Sequence, residues 1–64
     1  MSFTELDEIL QLKIKKGLRQ KGFELSLLSS AKVTLNDSLD VDALYCDEYE
    51  VLFENNNVKK INSF

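Results

Sequence analysis

Residues 49–64 read YEVLFENNNVKKINSF, and this stretch decides the fold class. Tyr49, Val51 and Phe53 alternate with Glu50, Leu52 and Glu54, the period of two that puts one side of a strand on a core. Three asparagines follow, and Asn55 and Asn56 tolerate the positive φ that a tight hairpin turn demands. Val58 to Ile61 then returns. The segment therefore predicts two strands, at about 48–54 and 57–62, and a sheet whose apolar side needs a cover.

The cover is at the other end of the chain. Residues 2–21 predict one amphipathic helix opened by Ser2, with Glu5 three positions on in the reciprocal capping arrangement. Acidic Glu5, Asp7 and Glu8 near its start and basic Lys15, Lys16, Arg19 and Lys21 near its end suit the helix dipole. Phe3, Leu6, Leu10, Ile14 and Leu18 fall within a sector of roughly 120°, with Ile9 on its flank. Leu12 projects from the opposite side. Gly22 can take the left-handed conformation that ends a helix, and Phe23 can fold back on an apolar neighbour.

Between these two ends the reading is strand-like. In FELSLLSS, Phe23, Leu25 and Leu27 alternate with Glu24 and Ser26, predicting a strand at about 23–29. KVTL predicts another at about 32–36. In NDSLDVDALYCDEYE, Val41, Ala43 and Tyr45 alternate as in a strand at 41–46, whereas Leu39, Asp42, Ala43 and Cys46 also fit a short helix capped by Asn36 or Asp37; loop followed by strand is preferred. The expectation is an α+β domain: one N-terminal amphipathic helix packed on a small antiparallel sheet of three to five strands, arranged as a meander.

Composition bounds what such a domain can do. Sixty-four residues make a single domain, 1–64, that buries only about 60% of its unfolded surface. One cysteine, Cys46, and no histidine exclude an intrachain disulfide and the usual Cys/His zinc patterns. Without histidine the familiar Ser/His/Asp and Cys/His nucleophilic arrangements are out of reach. Two glycines, Gly17 and Gly22, cannot build a phosphate-binding loop. No apolar run is long enough to span a membrane and the N-terminus lacks signal-peptide character, so the cytoplasm is the expected location.

Charge is unevenly spread beneath a net −3: five of eight basic residues lie between Lys13 and Lys21, and seven of eleven acids between Asp37 and Glu54. Asp40, Asp42, Asp47, Glu48 and Glu50 could in principle line a hydrolytic pair or a magnesium site, but they lack calcium-loop spacing, and a solvated acidic surface is the simpler reading. Cys46, followed by Asp47 and Glu48, has neighbours that oppose a thiolate, so it reads as a core residue.

Three local resemblances concern parts of the chain. Asp37-Ser38-Leu39 resembles the phosphopantetheine attachment site of acyl carrier proteins, which would make Ser38 the modified residue, although the preceding glycine is missing. IKKGLRQKGFELSLL looks like the first helix and strand of HicA-type toxins, whose catalytic histidine this chain lacks. VDALYCDEYEVLFENNNVKKI is similar in cadence to the strands of Tudor and other SH3-like barrels, and Tyr45, Tyr49 and Phe53 alternate there as core residues would.

The functional expectation is a non-catalytic protein-interaction or regulatory module with no cofactor and no metal, acting through its charged surface. Leu12, Asp40, Asp42 and Glu50 are the candidate partner-binding residues, and exposed sheet edges allow self-association. The alternative is nucleic-acid binding by Lys15, Lys16 and Arg19, whose affinity would fall steeply with salt.

Overall fold

The sheet is a four-stranded antiparallel meander, β1 (Lys32–Leu35), β2 (Val41–Cys46), β3 (Tyr49–Glu54) and β4 (Asn57–Ser63), in the spatial order β1-β2-β3-β4. A single α-helix, α1 (Glu8–Gln20), packs on one side of it. A computed structural model describes all 64 residues. The expected class, helix and meander are all present, and the predicted strand limits hold to within a residue for β1 to β4.

Two elements differ from expectation. The helix does not run from residue 2. Phe3–Glu5 forms one 3₁₀ turn, in which the Ser2 N–H donates to the Glu5 carboxylate (2.9 Å); Leu6 and Asp7 are then extended, and α1 starts afresh with Asp7 accepting from the Ile9 N–H (3.2 Å). Gln11 bridges the break by donating from Nε2 to the carbonyls of Leu6 (2.7 Å) and Thr4 (3.2 Å). The break resets the helical phase, so Phe3 and Leu6 still reach the core while Ile9 is 77% exposed rather than flanking it.

The predicted strand at 23–29 is a 3₁₀ helix, Leu25–Ser30. Glu24 caps it through the Ser26 N–H (3.4 Å), and Ser29 and Ser30 donate from Oγ to the carbonyls of Ser26 (3.3 Å) and Leu27 (3.4 Å). Such short-range serine bonds satisfy backbone groups that a strand would offer to a neighbour. With three residues per turn, Leu25 and Leu28 share a side, and Leu28 enters the core.

The helix ends as Gly22 predicts. At φ +78° it donates its N–H to the Arg19 carbonyl while the Phe23 N–H reaches Leu18 (both 3.0 Å), the paired closure of a Schellman turn. Phe23 then meets the Tyr49 ring edge-on, centroids 5.3 Å apart.

Ile14, Leu18, Leu28, Val33, Leu44 and Val51 centre the core, and no polar side chain is buried in it. Asp42 is the extra residue of a β-bulge, since Leu35 pairs with Val41 and Thr34 with Ala43. A bulge changes which side the following residues face. Leu44 and Cys46 therefore point into the core and Tyr45 to the far side, not the alternation expected for Tyr45.

Candidate functional site

All the covering elements lie on one side of the sheet. The uncovered side carries the cross-strand rows Lys32–Tyr45–Glu50–Asn62 and Thr34–Ala43–Leu52–Lys60. Ala43 is buried among its larger neighbours, Leu52 is half-buried, and Tyr45 stands 39% exposed at the middle of its row. Glu50 beside it accepts from Asn62 Nδ2 (3.2 Å). The Tyr45 hydroxyl has its pKa raised, first by partial desolvation, then by the charge and hydrogen bond of Glu50, and last by Asp42. Both charges acting on this phenol are negative.

The candidate partner-binding residues do not form one site. Asp42 and Glu50 share the Tyr45 side of the sheet. Asp40 is used internally: its carboxylate accepts from Asn56 Nδ2 (2.9 Å), while Asn56 Oδ1 accepts from the Val41 N–H (2.7 Å). Leu12, 66% exposed, sits on the outer side of α1 one turn from Ile9, across the molecule from Tyr45. Of the basic trio, Lys16 and Arg19 are exposed, whereas Lys15 is half-buried and borders Leu25 and Ser26.

The acidic residues are dispersed in the same way: Asp42 and Glu50 on the sheet, Asp47 and Glu48 in the β2–β3 turn, Asp40 in its clip. No group of three or more Cys, Asp or Glu side chains is placed to hold a metal ion. The largest surface depression measures about 310 Å³. Cys46 is buried, and burial followed by the Asp47 charge raises its thiol pKa. No helix is long and apolar enough to cross a membrane.

The local resemblances do not extend to the fold. Ser38 lies in the β1–β2 loop, its N–H held by Asn36 Oδ1 (2.9 Å), and strands follow it where a carrier protein has helices. A 3₁₀ helix occupies the place of the toxin-like first strand, and the sheet is open rather than a barrel. Comparison with protein-family models, curated proteins and solved structures finds no match.

Sequence reasoning missed Tyr45 as a surface residue and Asn56 as a link between loops. The bulge that turns Tyr45 outward left one signal, an apolar residue, Leu44, where the alternation of Val41, Ala43 and Tyr45 calls for an outward one. The second role of Asn56 left none, because an asparagine in a turn is already explained by its φ.

Proposed function

We propose that this protein is a non-catalytic interaction module that binds a basic segment of another protein on the uncovered side of its sheet. The observation that carries the reading is the placement of an exposed Tyr45 ring beside two carboxylates, Asp42 and Glu50, on the uncovered side of the sheet. An arginine on the partner would lay its guanidinium on the ring and meet either carboxylate, combining cation–π and charge-assisted contacts. Tyrosine and arginine are the residue types on which binding energy concentrates at protein interfaces.

The test uses a short arginine-rich peptide titrated against the isotopically labelled chain. The expected result is that amide shifts cluster at Tyr45, Asp42 and Glu50, and that Tyr45→Ala and the double variant Asp42→Lys/Glu50→Lys each weaken binding at least about tenfold, or ~1.4 kcal/mol. Equal binding by all three chains rejects the proposal. Nucleic-acid binding remains the second reading, supported by the joint exposure of Lys16 and Arg19 on α1. It calls for affinity for generic DNA or RNA that falls with salt and is lost in Lys16→Glu/Arg19→Glu.

A further inference from the structure

The two edges of the sheet are treated differently. Along β1, the first residues of the chain add a short antiparallel partner: Ser2 bridges Lys32, the Val33 N–H donates to the Met1 carbonyl (2.7 Å), the Met1 ammonium to the Val33 carbonyl (3.1 Å), and the Phe3 N–H to Ala31 (3.0 Å). Along β4 nothing comparable exists; its only ladder is with β3.

Which β4 groups are unused follows from the hydrogen-bond alternation. The Phe64 N–H donates to the Glu48 carbonyl (2.7 Å), so Glu48 and Phe64 are a bonded pair. In an antiparallel ladder bonded and non-bonded pairs alternate. Glu50–Asn62 and Leu52–Lys60 are then bonded as well, while Tyr49–Ser63 and Val51–Ile61 are not. The N–H and C=O groups of Ile61 and Ser63 therefore point away from the sheet, and no hydrogen bond from elsewhere in the chain reaches them. Beside them the half-buried side chains of Phe23, Leu27, Tyr49 and Ile61 line the depression of about 310 Å³.

We propose that this edge pairs with the β4 edge of a second copy of the chain, in antiparallel register about a two-fold axis at Asn62, giving one continuous eight-stranded sheet. The register is self-complementary. Ile61 faces the second copy's Ser63, and Ser63 its Ile61, so both outward groups of both residues are used in each chain. Lys60 then faces the second copy's Phe64, placing an ammonium beside a ring that is 78% exposed in the single chain. Like charges do not oppose one another, because Asn62 meets Asn62 at the axis. On the helix side the two apolar depressions become neighbours, with the Ile61 side chains diagonal across the seam, within reach of each other. This complementarity of the edge with itself is what favours a second copy over a foreign strand. The pairing leaves Tyr45, Asp42 and Glu50 free, so it stands or falls independently of the basic-segment reading.

The test is sedimentation equilibrium from about 10 µM to about 1 mM, with Ser63→Pro as the variant. Proline removes an outward N–H that bonds nothing inside the chain, a substitution edge strands tolerate. The wild-type chain is expected to reach twice the chain mass, and Ser63→Pro to stay monomeric with a thermal midpoint, when dilute, within about 3 °C of wild type. Amide exchange supplies a readout that does not depend on the variant folding: the Ile61 and Ser63 amides of the wild-type chain should gain protection as concentration rises. A wild-type chain that is monomeric throughout, a proline variant that dimerises equally well, or amides at 61 and 63 that exchange freely at every concentration would overturn the proposal.

Discussion

The Asn56 carboxamide joins two turns that lie sixteen residues apart in sequence. Its backbone holds φ 63° in the β3–β4 turn, while its side chain accepts from the Val41 N–H and donates to Asp40. Backbone and side chain can be separated by substitution, because glycine keeps the left-handed conformation and gives up the carboxamide. Asn56→Gly should lose ~1–3 kcal/mol in urea unfolding, as a strand N–H and a half-buried carboxylate are left without their partner. Asn56→Ala should lose about 1 kcal/mol more through its Cβ at positive φ. An Asn56→Gly chain as stable as wild type would show that water replaces the carboxamide at no cost. The turn itself was legible from three consecutive asparagines. The clip was not, since it depends on which loop lies beside the turn in space.

Among the elements, α1 explains a glycine that helix propensity alone would not place there. A Cβ at Gly17 would lie 3.2 Å from Val58 Cγ2, so the missing side chain lets the helix approach β4 closely. Alanine gains about 1 kcal/mol of helix propensity, and Val58, half-buried on an edge strand, must move a few tenths of an ångström to admit it. Gly17→Ala is accordingly expected to change stability by less than about 1 kcal/mol, whereas Gly17→Leu should cost ~1–3 kcal/mol by overpacking. Adding Val58→Ala should recover part of the Gly17→Leu loss in a double-mutant cycle; additive effects would mean the two positions do not touch. Element type was readable where one period dominated, as in α1 and β3. It misled at residues 23–29, where Phe23, Leu25 and Leu27 imitate a strand but Ser29 and Ser30 bond the backbone carbonyls three residues before them. It misled at residues 2–7 because the spacing of Phe3 and Leu6 suits a helix, although Asp7 opens a new one.

At the scale of the whole molecule, a chain of this length carries a folding free energy of roughly 3–10 kcal/mol. Phe3, 1% exposed, belongs both to the central core and to the segment that covers β1. Phe3→Ala should cost ~3–5 kcal/mol, enough to bring the thermal midpoint close to ambient temperature in a circular-dichroism melt; a midpoint unchanged by more than a few degrees would place the weight of the core elsewhere. The α+β architecture was legible because an amphipathic helix and a terminal hairpin each need the other's apolar side. The candidate surface was much less so. Asp42 and Glu50 were singled out for their charge, but the tyrosine beside them is displayed only through a bulge, and strand phase after a bulge cannot be counted from residue spacing.

The short backbone partner that covers β1 also bears on how the chain reaches its native state. Each ladder of the meander joins strands adjacent in sequence, so the sheet can assemble through small loops that close quickly. The bonds from Met1 and Phe3 to residues 31–33 must instead close over half the polypeptide. The pairing of Met1 and Phe3 with β1 thus waits longest, and a rate measured at Phe3 should lag one measured at the β3–β4 turn.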